Sequence, residues 1–241
     1  MGNTVLTLKD LNSFYADSHI LFDVNLTVEQ GSSVCILGRN GVGKSTTMKS
    51  VAGQMNARNK CKVTGNIVFE GKELVGIAPH KVAHLGIGYV PQGRHIFPNL
   101  TVRENLMIAE RKGEGGKQIF TIKEIYDLFP QLKARETSWG NNLSGGEQQM
   151  LAVARGLMQN PKLLLLDEIT EGLAPVIVNE LKNIVARLRK EYNVTILLAE
   201  QNAKFAFAIS EYCYIMEKGS IAYSGRTEEI TSEILERYLG A

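Results

Sequence analysis

The segment Gly38-Arg39-Asn40-Gly41-Val42-Gly43-Lys44-Ser45-Thr46 restricts the fold of this 241-residue chain more than any other feature. It lies between Val34-Cys35-Ile36-Leu37, which reads as a buried strand, and Thr47, Met48, Val51 and Ala52, which recur at helical spacing. Gly38 to Ser45 fit the pattern G-x-x-x-x-G-K-[ST], and the flanking strand and helix are the context that pattern needs. The chemistry follows from the residue types. Glycines let the backbone curl so that consecutive N–H groups face inward, and the helix N-terminus adds partial positive charge. Lys44 reaches the terminal phosphates, and the Ser45 hydroxyl binds Mg²⁺. A chance match to this pattern arises in about one chain per hundred of this length, and the flanks lower that further. The loop predicts a nucleoside triphosphate site in an α/β fold.

Net charge is +2, from 27 basic and 25 acidic residues, so no broad electrostatic field for nucleic acid exists and local sites must carry function. Apolar runs such as Leu163 to Leu166 and Ile196 to Ala199 fall far short of the ~20 residues of a bilayer crossing. Met1 to Asp10 alternates like a strand (Val5, Leu6, Leu8) and lacks the features of an export signal. Cys35, Cys61 and Cys213 are odd in number and far apart, which predicts neither a disulfide framework nor a zinc site and fits a reducing cytoplasm.

Strands are expected at Val5 to Leu8, Leu21 to Val28, Val34 to Leu37 and Gly65 to Phe69, with a helix starting near Lys44. The middle is helical, at Val102 to Ala109 and Ile122 to Leu128, with an exposed loop at Arg111 to Lys117. Then strand and helix alternate: Leu163 to Leu166, a helix at Val178 to Leu188, Val194 to Leu198, and a short helix near Ala203. Strands at Tyr212 to Met216 and Ile221 to Tyr223 precede a last helix near Glu228 to Tyr238. This order predicts a parallel sheet covered on both faces, with the helical middle as an insertion.

Two further patterns carry chemistry. The run Leu163 to Leu166 stops at Asp167 and Glu168, at the strand edge where ligands collect in parallel sheets. Asp167 is expected to hold Mg²⁺ and Glu168 to polarise the water attacking the γ-phosphate. Leu143-Ser144-Gly145-Gly146-Glu147-Gln148 precedes a helix; Ser144 and Glu147 fit a capping box, but a cap does not need two glycines. Open N–H groups, a hydroxyl and a helix N-terminus make a second phosphate site. One triphosphate does not need two such sites in one chain, so this segment is expected to close over the nucleotide of a second subunit.

These motifs, in this order, resemble the Walker A loop, signature and Walker B strand of ATP-binding cassette ATPases, and the resemblance covers essentially the whole chain. It implies an α/β P-loop NTPase with a RecA-like parallel-sheet core, an N-terminal antiparallel β-subdomain and an inserted helical subdomain. Residues 1–241 would form one ATPase domain, with 93–149 as the helical insert and 1–92 and 150–241 as the core and β-subdomain. Tyr15 is similar to the aromatic that stacks on adenine. Gln92, in Tyr89-Val90-Pro91-Gln92-Gly93, resembles the glutamine that touches Mg²⁺, and Arg94 to Pro98 would lie near the groove for a membrane subunit.

The chain departs from the family pattern at three places. Glu171-Gly172-Leu173-Ala174-Pro175 replaces the usual Ser-Ala-Leu-Asp, Ile169 follows Glu168 where proline is usual, and Gln201 stands for the switch histidine. Glutamine cannot carry positive charge but can bond a γ-phosphate oxygen or the attacking water, which implies slow but real hydrolysis. Glu200-Gln201-Asn202-Ala203 and Gly172-Leu173-Ala174-Pro175, with Gln92-Gly93-Arg94 and Ile96-Phe97-Pro98, resemble the LivF-type subunits of branched-chain amino-acid importers. The loop Gly38-Arg39-Asn40-Gly41-Val42-Gly43-Lys44 and Thr170-Glu171-Gly172 also resemble urea and short-chain amide importers. The resemblance implies ATP and Mg²⁺ as cofactors and a second ATPase subunit, identical or related, as partner. It implies permease subunits as well, a solute-binding protein indirectly, no nucleic acid, and a place on the cytoplasmic face of the cell membrane. An exporter subunit, a soluble cassette ATPase outside transport and a regulatory nucleotide-binding module are the alternatives.

Overall fold

The computed structural model describes residues 3–240. Met1 and Gly2 of the expected N-terminal strand, and Ala241 of the expected 1–241 domain, lie outside the described residues. Two long strands come first, β1 (Thr4–Tyr15) and β2 (Ser18–Glu29), paired antiparallel from Leu6↔Val28 to Tyr15↔Ser18. β1 runs well past the expected Leu8, because pairing with β2 resumes beyond a bulge in its polar middle, where Asp10 has φ 49 and the register shifts between Leu8 and Leu11.

Next come β3 (Ser33–Leu37), buried throughout, and α1 (Lys44–Val51). β4 (Cys61–Phe69) pairs with β1, and the two-residue β5 (Lys72–Glu73) pairs with β4. The middle of the chain holds α2 (Pro79–His84), β6 (Ile87–Val90), α3 (Val102–Ala109), α4 (Ile122–Leu128), α5 (Pro130–Ala134) and α6 (Gly145–Leu157). Then follow β7 (Leu163–Asp167), α7 (Pro175–Tyr192), β8 (Thr195–Glu200), α8 (Ala203–Ile209), β9 (Tyr212–Glu217), β10 (Ser220–Arg226) and α9 (Ser232–Leu239). The expected last helix starts later than Glu228 because Thr227–Glu229 is a 3-10 turn and Thr231 caps α9 by accepting from Ile234 N–H.

The strands form two sheets. β2-β1-β4-β5 is antiparallel; the six-stranded sheet runs β10-β9-β3-β8-β7-β6 and is parallel except for its edge strand β10. The parallel strands divide their side chains between two cores with period two. Cys35, Leu37, Leu164, Leu166, Ile196 and Leu198 face the helices. Val34, Ile36, Leu163, Leu165 and Leu197 face the antiparallel sheet and α1. Among the described residues, no helix is long and apolar enough to cross a membrane.

α6 joins the helical insert to the sheet. It opens on the capping box of Ser144 and Glu147 and ends buried against β6, where Gly156 comes so close that a side-chain Cβ there would sit 2.6 Å from Val90 Cγ2. The expected boundary after Gln149 falls inside this continuous helix.

Candidate functional site

β3 leads into the glycine loop at the C-terminal edge of the parallel sheet, where Gly38 N–H donates to Glu200 O at 3.3 Å. Gly41 (φ 81) and Gly43 (φ 114) take backbone angles that other residues rarely adopt, and a Cβ on Gly43 would also lie 2.7 Å from Leu21 Cδ2. Gly43 is the N-cap of α1, with no side chain capping it. Among the described residues, no backbone carbonyl accepts from the N–H groups of Gly41 to Thr46. These donors, at a helix N-terminus, suit an anion. Arg39, Asn40 and Gly41 are exposed, Val42 packs against the core beneath, and Thr46 is buried.

Lys44 is 2% exposed and its Nζ is held by three oxygens, Gly38 O, Arg39 O and Glu168 Oε1, each at 2.9 Å. The adjacent Ser45 Oγ donates to Asp167 Oδ1 at 2.9 Å, and Tyr89 Oη donates to Asp167 Oδ2 at 3.0 Å. Burial pushes the Asp167 carboxyl above its ordinary range; the Ser45 and Tyr89 hydrogen bonds pull it back, and the charge of Glu168 adds to the push. Burial and the neighbouring Asp167 raise the Tyr89 phenol far above its ordinary value.

Glu168 is 6% exposed and left-handed at φ 47, a conformation that costs a non-glycine residue about 1 kcal/mol. It is held there by its N–H, which donates to Ala199 O at 2.8 Å. Gln92 Nε2 donates to Glu168 Oε2 at 2.9 Å and to Glu171 Oε2 at 2.7 Å. The glutamine expected at Mg²⁺ is thus bonded to the two glutamates rather than to Asp167 or Ser45. Arg94 Nη2 reaches Gly172 O at 3.5 Å.

Lys44, Ser45, Asp167, Glu168 and Gln92 therefore form one cluster, while other expected residues stand apart. Tyr15 is 37% exposed at the end of β1, opposite Ser18 and Cys61. Gln201 is exposed at the end of β8 and shares with Arg39, Asn40 and Lys204 the wall of a surface cavity of about 760 Å³. Ser144 is exposed at the start of α6, its Oγ accepting from Glu147 N–H at 3.3 Å. Among the described residues, no hydrogen bond joins Ser144, Gly145 or Gly146 to the loop at 38–46.

The donor set fits magnesium. Among the described residues no group of three His, Cys, Asp or Glu side chains could hold a metal by itself. Mg²⁺ is a hard ion that keeps octahedral oxygen ligation, and it is commonly bound by one or two carboxylates completed by substrate phosphates. A hydroxyl and a carboxylate already in contact, Ser45 and Asp167, supply that partial shell.

The sequence reading did not single out Glu200 or Tyr89 as site residues. Glu200 is 1% exposed; Oε1 accepts from Thr170 N–H at 3.1 Å and Oε2 from Thr170 Oγ1 at 2.9 Å. Its signal was present, because Ile196 to Ala199 is an apolar run that stops at an acid, as Leu163 to Leu166 stops at Asp167. Burial pushes the Glu200 carboxyl from 4.5 up to about 7, against the pull of its hydrogen bonds from Thr170 and Asn202. The folded chain keeps this proton where the unfolded chain has released it, so stability falls as pH rises from about 4.5 to about 7, by about 3 kcal/mol. Glu200→Gln removes the titration. Its stability relative to wild type is therefore expected to rise by most of that amount between about pH 5 and about pH 8 in denaturant unfolding. An equal difference at both pH values would refute the buried acid.

A family model described as ABC transporter matches residues 21–171. The chain is 37% identical over 238 residues to the high-affinity branched-chain amino acid transport ATP-binding protein BraG of Pseudomonas aeruginosa, covering 98% of this chain and 100% of that one. It is also 37% identical over 226 residues to the probable branched-chain amino acid transport ATP-binding protein LivF of Archaeoglobus fulgidus, covering 94% of each. It is 34% identical over 249 residues to the lipopolysaccharide export system ATP-binding protein LptB of Escherichia coli, covering 98% and 97%. Among solved structures, an ATP-binding cassette of an ABC transporter in its ADP conformation superposes with a TM-score of 0.77 at 25% identity, covering 98% of this chain and 95% of that one.

Proposed function

Since the chain belongs to the ABC transporter family and is an ATPase using ATP and Mg²⁺, we propose that it drives an importer of branched-chain amino acids as one half of a head-to-tail ATPase dimer. One observation carries the catalytic part: the Lys44 ammonium, Ser45 hydroxyl, Asp167 and Glu168 meet at the end of two parallel strands. The cargo rests on the 37% identity to BraG and LivF along nearly the whole chain, above the 34% to LptB. Thr170-Glu171-Gly172 keeps a urea or short-chain amide as the second reading.

In this reading the residues 1–241 are one ATPase domain, with 93–149 as its helical insert. The N–H groups of the loop from Gly38 to Thr46 bind the phosphates, and Tyr15 stacks on adenine. Lys44 exchanges the Glu168 carboxylate for a γ-phosphate oxygen, which leaves Glu168 Oε1 free to accept a proton from the attacking water. Ser45 and Asp167 would hold Mg²⁺, which when bound neutralises charge on the phosphate oxygens. Gln92, now bonded to its two glutamate partners, would be a further oxygen ligand for that ion, and Gln201 bonds the γ-phosphate or the water. Ser144, Gly145 and Gly146 come from the second ATPase subunit, identical or related. The Ser144 oxygen already accepts the Glu147 N–H, so its own proton remains to donate to phosphate.

Permease subunits dock on the cleft lined by His80, Tyr89, Pro91, His95 and Arg155, a cavity of about 380 Å³ beside Gln92, and hold the chain at the cytoplasmic face of the membrane. A solute-binding protein acts indirectly through them, and no nucleic acid takes part. Removing the gene from its host is expected to abolish the leucine uptake that this ATPase drives, while urea uptake and lipopolysaccharide export continue. Unchanged leucine uptake would overturn the cargo.

A further inference from the structure

β7 and β8 lie side by side in register Asp167↔Ala199, and each ends on a buried acid. The function proposed above employs Asp167 and leaves Glu200 without a part. An apolar residue would fill the end of β8 at lower cost than a carboxylate removed from water. What a forked polar side chain supplies there, and an apolar one does not, is a grip on both polar groups of Thr170, its N–H at 3.1 Å and its hydroxyl at 2.9 Å.

Thr170 occupies a decisive place. It lies two residues after Glu168, and its carbonyl accepts from Leu173 N–H at 3.3 Å, closing the turn that carries Glu171, the second partner of Gln92. The backbone of Glu168 is tied to the same strand, through its N–H to Ala199 O at 2.8 Å. β8 therefore fixes the chain on either side of the Glu168 carboxylate and so supports its left-handed backbone. The other end of the linkage is the phosphate loop, since the backbone carbonyl of Glu200 accepts from Gly38 N–H at 3.3 Å. Glu200 also precedes Gln201 directly. One residue joins the first glycine of the loop, the segment after Glu168 and the candidate phosphate sensor.

We propose that Glu200 is a positioning residue for hydrolysis, which by clamping Thr170 holds the Glu168 carboxylate in register with the phosphate loop and Gln201. This rests on the reading of Glu168 as the group that accepts the proton of water. The clamp acts on turnover rather than on nucleotide affinity, because the phosphates are bound by the loop and Lys44, whereas the clamp sets where the attacking water is received.

The test is steady-state turnover and ATP affinity of the full chain in four variants. Glu200→Ala is expected to lower kcat at least tenfold and to change the Kd for ATP by less than threefold. Glu200→Gln still accepts the Thr170 N–H and can donate to its hydroxyl, so it keeps at least a third of wild-type turnover. Thr170→Val, which loses only the hydroxyl bond, lowers kcat at least threefold and adds no further loss to Glu200→Ala. Full turnover in Glu200→Ala overturns the proposal, as does a loss of ATP affinity parallel to the loss of kcat, or equal inactivity of Glu200→Gln and Glu200→Ala. If Glu200→Ala does not fold, Thr170→Val decides: unchanged kcat overturns the clamp, and lowered kcat at unchanged Kd supports it. Glu168→Gln, run alongside, separates the two levels. If that variant turns over normally, the reading of Glu168 falls; if it is inactive while Glu200→Ala is fully active, only the clamp falls.

Discussion

Glu168→Gln is expected to lower ATP turnover by at least about 100-fold, the range lost with a general base, while ATP still binds and an ATP-loaded dimer accumulates. The amide keeps the size of the side chain and can still accept from Lys44, so the loop and its ammonium stay in place. What disappears is the carboxylate oxygen that Lys44 now holds at 2.9 Å and that water must use. Phosphate release reports the first effect, and size-exclusion chromatography with ATP and Mg²⁺ reports the second. Wild-type turnover would remove Glu168 from its role. Glu168→Ala should behave differently: both variants lose the negative charge, but alanine also takes away the oxygen acceptor of a Lys44 ammonium that is 2% exposed. Removing one partner of a buried pair costs about 3 to 5 kcal/mol, so that variant is expected to lower the stability of the nucleotide-free chain as well as its turnover.

Ser144→Arg is expected to abolish hydrolysis with ATP affinity of the single chain retained. Loss of the cap on α6 costs only about 1 kcal/mol, too little to unfold a domain of this size. A loss of turnover of about 100-fold or more must therefore arise across the interface. Complementation isolates the cause. Mixing Ser144→Arg chains with Glu168→Gln chains creates dimers in which one site has an intact Glu168 from the first chain and an intact Ser144 from the second. Turnover should return on mixing. A site complete within one chain predicts no recovery, and normal hydrolysis by Ser144→Arg alone would end the shared-site account.

Much of the core was legible because its signals are local. The phosphate loop carries its own strand and helix. The expected bounds of α3 and α4 match the structure, Val102–Ala109 and Ile122–Leu128, because Thr101 with Glu104 and Thr121 with Glu124 form capping boxes that mark where each helix starts. β6 was missed since four residues including Gly88 give no periodicity to read, and its strand state comes from pairing with β7, remote in sequence. The polar stretch Lys9-Asp10-Leu11-Asn12-Ser13 hid the second half of β1, because a bulge breaks the alternation. In the site, residue types revealed Lys44, Ser45, Asp167 and Glu168, yet their pairing depends on which strands are neighbours. The bond between Gln92 and Glu171 depends on a turn 79 residues away, which no local pattern announces.

The close approach of Gly156 to Val90 gives α6 a mechanical meaning. Thirteen residues make a rod of roughly 20 Å, with the glycine pair at one end, packed against Arg94 and Ile177, and its tight contact with β6 at the other, two residues before Gln92. A helix of this length bends little, so the two ends cannot be displaced independently. A pivot of roughly 10° about the Gly156 contact sweeps the Ser144 end through roughly 3 Å, taking the length from the rise per residue. That is about the length of one hydrogen bond, enough to make or break a grip on a phosphate. The bearing of this lever is the glycine itself: any side chain at position 156 would push rod and strand apart and detune the distance between the two ends.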